Sequence, residues 1–224
     1  MVRSFKTEAR IKGIGRIKFK VAPWDEALET IRLENGEVIS APILAYAKVQ
    51  TGKDSSISQH TSRIREGGIY VPQKGIYLLR NSLLLQPELA KGALIAHEAQ
   101  KEYSIEDSLA KEYMAKASED KNSEVFPLTN LDSISTNTFD KDKRVLWLFQ
   151  DYSEIFGRFL YDNGIQEMPL QFFRQNRIDK EGRPFTNQLD FKGLEFGDKC
   201  AISGVYHFPP YYDDVRAVFK EKSK

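Results

Sequence analysis

From residue 16 to residue 21 the chain alternates strictly, with Ile17, Phe19 and Val21 on one side and Arg16, Lys18 and Lys20 on the other. A period of two predicts a half-buried strand, and Gly13 and Gly15 just before it predict a bulge or a close backbone approach. A short helix is expected at 25–30. A hairpin is expected over 31–43, turned by Asn35-Gly36 between Ile31, Leu33, Val38 and Ile39. Residues 50–68 are polar, with Ser55, Ser56, Ser58, His60, Thr61 and Ser62 followed by Arg63 and Arg65, and they read as a long loop. A second hairpin follows at 69–80, turned by Gln73-Lys74-Gly75.

The middle third reads as helical. Pro87 suits a first helical position, and 88–103 contains Gly92 as its sole breaker. Ser104 and Asp107 approximate a capping box, which predicts a second helix reaching 116. Residues 118–144 mix Ser, Asn, Asp and Lys and read as another loop. The clearest element is a helix over 143–163. Val145, Leu148, Phe149, Tyr152, Ile155, Phe156, Phe159 and Leu160 share one face of it, Asp151, Glu154, Arg158 and Asp162 another, and Gly164 ends it. Its aromatic stripe reads as packing rather than as a cofactor box.

The C-terminal third returns to short strands, with a hairpin over 172–185 around Asp179-Lys180-Glu181-Gly182. Broken alternation across 189–208 is stopped by Pro209-Pro210. The whole pattern predicts an α+β fold, a single domain over 1–224, in which hairpin-rich N-terminal and C-terminal β regions pack with about three helices from the middle, 85–165 being mainly helical.

Composition supports a packed protein, because 41% hydrophobic residues with 14 Phe and 10 Tyr in 224 residues suffice for a real core. The longest strictly apolar run, 145–149, is far shorter than the roughly 20 residues that cross a bilayer, so no membrane partner is expected. Arg3, Lys6, Glu8 and Arg10 stand where a secretory signal needs an apolar stretch, and a cytoplasmic location is the expectation. Cys200 is the only cysteine, which rules out an intramolecular disulfide and a thiolate-rich zinc site.

Charge changes the picture more. The net charge is +1, but residues 1–20 carry seven basic groups against Glu8 alone, so that segment is +6 and the remainder −5. A basic stripe on a slightly acidic body is the signature of an anion-binding face, and equally of a strand edge guarded by Lys and Arg. In a strand, Arg16, Lys18 and Lys20 would stand about 7 Å apart, close to the spacing of phosphates along one nucleic-acid strand. Arg174, Arg177, Lys180 and Arg183 alternate with Phe172, Phe173 and Phe185, offering charges for phosphates and rings for bases. The leading expectation is a non-catalytic nucleic-acid-associated protein that grips the phosphate backbone with Arg10, Lys12, Arg16, Lys18 and Lys20, helped by Arg174, Arg177 and Arg183. One alternative is an assembly or interaction protein that docks an acidic protein partner or self-associates as a homo-oligomer. Another is a metal-dependent nuclease with dispersed carboxylates, since a magnesium site needs only one or two of them.

Other chemistry finds little footing. His60, His97 and His207 are far apart, and the fourth residue after His97 is Lys101, so the two-histidine zinc face is missing. No cofactor and no metal site is expected. Ser108 with Lys111 and Ser118 with Lys121 match Ser-x-x-Lys without companion motifs. Cys200 and His207 as thiol and base would lie roughly 23 Å apart on an extended strand. Gly13-Ile14-Gly15 and Gly52-Lys53 lack the remaining glycines of a phosphate loop and read as turns. Gly68-Ile69-Tyr70, Tyr77 and Arg80 together resemble the GIY-YIG nucleases, and the resemblance implies two tyrosines, an arginine and a later glutamate around a metal-bound phosphodiester. It spans only 68–80. The second triplet runs Gly75-Ile76-Tyr77, the tyrosines are closer together than in that family, and Glu98 or Glu102 would have to supply the glutamate. An ordinary hairpin accounts for the same residues.

Overall fold

The computed structural model describes residues 4–99, 101–117, 124–128, 132–172, 182–194, 200–204 and 213–220. The hairpin expected around 179–182, the Pro209-Pro210 stop, and Arg174, Arg177, Lys180 and His207 lie outside the described residues. Within them the architecture is mixed α+β, with seven α-helices and one twelve-stranded sheet. Among the described residues no helix is long and apolar enough to cross a membrane.

Strands β1 (Lys6–Ile11) and β2 (Gly15–Ala22) form the first hairpin. Its turn needs positive φ at Gly13 (82°) and Gly15 (124°), and a Cβ on Gly15 would meet the Phe219 carbonyl oxygen at 2.6 Å. Helix α1 (Trp24–Leu33) follows Pro23 and buries Trp24, Ala27, Leu28 and Ile31, the three-to-four spacing of one helical face. It runs past the expected 25–30 and thereby overturns the hairpin over 31–43. Asn35, at φ 54°, ends the helix instead of turning a hairpin, and β3 (Glu37–Val38) is two residues long.

Helix α2 (Ala41–Thr51) occupies positions read as strand and loop. It buries Ala41, Leu44, Ala45, Ala47 and Lys48, so its apolar positions surround the axis and leave no one-sided period to read. The loop expected over 50–68 is also overturned. Helix α3 (Ser56–Gln59) is followed by β4 (Ser62–Val71), whose residues are buried except for a half-buried Arg65. β4 lies inside the sheet, and its polar side chains turn to partners within the protein: Glu66 accepts from the Ala41 backbone N–H at 2.9 Å and Arg63 pairs with Asp190 at 3.7 Å.

The β4–β5 hairpin is as expected, with β5 (Gly75–Leu79) pairing Val71 to Gly75 and Gln73 at φ 61° in the turn. Helices α4 (Pro87–Glu98) and α5 (Asp107–Lys116) fall where helices are expected, but α4 ends at Glu98 rather than 103, and the Ser104 capping box is overturned, since Ser104 sits in β6 (Tyr103–Ser104) and Glu106 is the N-cap of α5. In place of one loop over 118–144, the described part contains β7 (Val125–Leu128), β8 (Ser133–Ser135) and a 3-10 segment (Thr136–Lys141). The helix over 143–163 is two helices. Asp142 caps α6 (Lys143–Phe149) by accepting from the backbone N–H groups of Arg144 and Val145, and Gln150 at φ 52°, ψ −132° breaks the chain before α7 (Ser153–Asp162). In α7 the buried positions are Ser153, Phe156, Gly157 and Leu160, and Ile155, expected on the apolar face, is exposed. The aromatic stripe is core, with the rings of Phe139, Phe149, Phe156 and Phe191 packed at 5.2–6.0 Å between centroids.

The remaining strands are β9 (Glu167–Gln171), β10 (Phe185–Phe191), β11 (Ile202–Ser203) and β12 (Asp213–Phe219). The sheet runs β1-β2-β12-β4-β10-β11-β9-β8, with β5 on β4, β7 on β5, β3 on β12 and β6 on β10. β12, from the far end of the chain, thus lies between β2 and β4. The N-terminal and C-terminal strands form one interleaved sheet, where the sequence pattern suggested two separate β regions.

Candidate interaction edge

β1 is the terminal strand of this sheet. Its register to β2 pairs Lys6 with Phe19 and Thr7 with Lys18, then jumps to Ala9 with Ile17, which leaves Glu8 as the extra residue of a bulge. A bulge re-aims a side chain, and here it sends the Glu8 carboxylate to Arg216 on β12. The Arg216 Nε donates to Oε2 at 2.7 Å and its second terminal nitrogen to Oε1 at 2.9 Å, a bidentate fork. Ser56 Oγ, on the first residue of α3, donates to the same Oε1 at 2.6 Å. Arg216 is fully buried. It also donates to the carbonyls of Thr61 (2.9 Å) and Ser56 (3.2 Å) and lies 4.9 Å from the Phe19 ring centroid. Burial pushes the Glu8 carboxyl up, but the hydrogen bonds and charge of Arg216 and the Ser56 hydroxyl outweigh it and hold the group below its ordinary value. The clamp bolts the edge strand to β12 and to α3.

Ser56, His60 and Glu8 resemble a hydrolytic triad in composition but not in wiring. The Ser56 hydroxyl donates its hydrogen bond to the carboxylate, and His60 Nδ1 lies 3.0 Å from the Ser56 carbonyl and 3.4 Å from Oγ. The carboxylate therefore holds the hydroxyl and Arg216 instead of orienting the imidazole as a base.

The structure separates the sequence-predicted cations into two sets. Lys6, Arg10 and Lys12 are exposed, on β1 and in its turn. Lys18 and Lys20 face α1 and its C-terminal cap rather than solvent. Lys18 pairs with Glu34 at 2.7 Å and sits 4.0 Å over the Phe219 ring, and Lys20 is buried and donates to Thr30 Oγ1 at 3.0 Å. Arg16 is half-buried, and its Nε is buried without a hydrogen-bond partner. The expected solvent-facing row along β2 is therefore absent, because that face is the one α1 covers. Meanwhile Val21, on the supposed core side, is 44% exposed. Arg183 is exposed just before β10, which stands four strand steps from β1 in the sheet, on the order of 19 Å, so it does not join the hairpin's cations.

The nuclease-like residues do not converge either. Tyr70 opposes Ile76, and Tyr77 opposes Ile69, so the two tyrosines point to opposite faces of the sheet. Tyr70 packs on Phe185 at 5.1 Å, and Arg80 donates to the Trp147 carbonyl at 3.0 Å while lying 4.5 Å from that ring's centroid. Among the described residues no three His, Cys, Asp or Glu side chains are grouped to hold a metal ion.

Two fully buried ionisable groups escaped the sequence reading, Glu66 inside the stretch read as a loop and Lys48 in the unassigned residues just before it. Glu66 on β4 accepts from the Ala41 backbone N–H at 2.9 Å and so caps α2, where the Ser40 side chain makes no capping bond; burial raises its carboxyl to about 7. Lys48 donates to the carbonyls of Ile57 (3.0 Å) and Ser58 (3.1 Å). Burial also raises the Cys200 thiol to about 11, which leaves it in the unreactive protonated form at neutral pH. The clamp itself left little trace in sequence, since Glu8 and Arg216 lie 208 positions apart. The only available sign was the alternation Val215, Ala217, Phe219, which puts Arg216 on the other face of a strand.

No protein-family model and no curated protein matches this chain. A solved structure concerning the accommodation of massive sequence variation in Nanoarchaeota by the C-type lectin fold superposes with a TM-score of 0.61 at 12% identity. The match covers 93% of this chain and 98% of that one. At that identity the likeness speaks to fold, and it extends over nearly the whole length of both proteins.

Proposed function

We propose that this protein is a non-catalytic interaction protein that docks an acidic partner protein on its basic β1–β2 hairpin. The observation that carries the reading is that Lys6, Arg10 and Lys12 are exposed on the terminal strand of the sheet and its turn, while that strand is held in place by the buried Glu8–Arg216 fork. The C-type lectin fold is a binding fold, and a scaffold that accommodates massive sequence variation in a similar structure suits recognition by surface side chains. Phosphate-backbone binding would use the same exposed cations, but Lys18 and Lys20 are engaged internally. Three phosphate contacts give a logarithmic salt slope of only roughly −2.7, the mark of weak nucleic-acid affinity.

Fluorescence anisotropy at low salt with a labelled Glu- and Asp-rich peptide, a labelled DNA duplex and a labelled single-stranded RNA tests this. The peptide is expected to bind the wild type and to lose at least about tenfold in affinity on Arg10→Glu with Lys12→Glu, surface changes that leave the clamp intact. Binding of the nucleic acids without the peptide would replace this reading with the phosphate-backbone one. Binding of none of the three would remove both.

A further inference from the structure

Resting on that docking reading, we infer that the partner is held by strand addition: an acidic, extended segment pairs its backbone with the outer edge of β1, alongside Ala9–Ile11. The position of β1 supplies the first ground. It ends the sheet, and among the described residues β2 is the only strand paired with it. A terminal strand presents a row of backbone N–H and C=O groups that an extended peptide can complete.

The second ground is how the edge is guarded. Three devices against pairing with a like strand are present on β1: exposed basic side chains, a bulge, and a carboxylate turned inward. The first is selective by sign. A second copy would bring its own basic hairpin against this one, whereas a segment carrying Asp or Glu would bring opposite charge to it. The bulge at Glu8 interrupts the regular edge, so the seat is the stretch after it, where Ala9, Arg10 and Ile11 pair in continuous register with Ile17, Arg16 and Gly15.

The third ground is rigidity. Glu8 ties β1 to the fully buried Arg216 and to Ser56 on α3, while Ile11 is buried and Ala9 packs against the main core. An edge fixed in this way is already in the geometry that a pairing strand requires, so little conformational entropy is lost in β1 when a segment docks.

The test uses the full chain and two labelled peptides of the same sequence, alternating Glu with Val, one of them N-methylated at every second amide along one edge. Tight binding of the plain peptide, at least tenfold weaker binding of the methylated one, and weakening by Arg10→Glu with Lys12→Glu would support strand addition. Equal binding of both peptides would overturn strand addition yet keep the acidic-partner reading. Loss of binding by both would overturn the two together. Light scattering during size exclusion adds an independent arm: a stable dimer of the wild type that Arg10→Glu dissociates would place a second copy on this edge and refute the inference.

Discussion

Replacing Glu8 by Gln keeps the size of the side chain and removes its charge, leaving Arg216 as an uncompensated buried cation. Two charge-assisted bonds of 2.7 and 2.9 Å are affected, each contributing on the order of 1.5–3 kcal/mol. Arg216 keeps its bonds to the Thr61 and Ser56 carbonyls, and the Glu8 side chain is 11% exposed, so some water reaches the site. Breaking a buried pair costs about 3–5 kcal/mol, and these mitigations put Glu8→Gln near the lower end, at about 3 kcal/mol. Urea unfolding followed by circular dichroism at pH 7, compared at constant m-value, reads this directly. In a double-mutant cycle with Arg216→Met, the pair should couple by about 2 kcal/mol or more. The pH dependence has a fixed sign. Glu8 is held below the 4.5 of the unfolded chain, so its contribution is present above pH 4.5 and is lost as the pH falls through its lower folded value. Glu8→Gln should erase that acid-side loss. A cost under about 1 kcal/mol, or a cycle additive within about 0.5 kcal/mol, would refute the view that the fork bolts the edge strand to the sheet.

Glu66 should show the opposite pH sign, since its folded value of about 7 lies above the unfolded 4.5. Stability falls by on the order of 3 kcal/mol between pH 4.5 and 7, and unfolding midpoints of Glu66→Gln should be flat across that window. Asn187 donates to the carbonyls of Phe172 (2.6 Å) and Gly204 (3.0 Å), and Asn187→Ala strands both in the interior; a loss of about 2–4 kcal/mol in chemical denaturation is expected. Gln150 occupies a region of φ/ψ that suits glycine, so Gln150→Gly should raise stability by about 1 kcal/mol, whereas in one continuous helix the same change would lower it by a similar amount. Thermal unfolding distinguishes those two signs.

What could be read from the sequence follows from where each element lies in the layers. α4 and α5 were legible from local signals, Pro87 at a first helical position and long stretches with few breakers, and α1 in part, after Pro23. The same holds for the β4–β5 turn, where Gly75 and the positive-φ Gln73 mark the reversal. α2 and β4 were lost. Both are enclosed: on β4 the polar residues Arg63 and Glu66 sit in the interior, so polarity falsely signalled loop, while α2 has no one-sided period to read. The break at Gln150 escaped because neither glycine nor proline marks it, and the Phe149–Phe156 packing on the far side overrides the local preference for a continuous helix. β12 depends on partners roughly 150 to 200 residues away, and no local pattern announces its place between β2 and β4.

The candidate site shows why charge counted along a chain differs from charge presented by a fold. Arg16, Lys18 and Lys20 alternate perfectly, and alternation reports that they share a face without reporting which face is wet. α1 decides that, by laying Glu34 and Thr30 against Lys18 and Lys20. The exposed cations of this hairpin are Lys6, Arg10 and Lys12, on the strand at the rim and in its turn. Their small number and terminal position suit an interaction in which backbone hydrogen bonds supply the affinity and charge selects the sign of the partner. A nucleic-acid backbone, by contrast, draws its affinity from many cations in register, and the side chains that would have supplied that register on β2 face the helix above it.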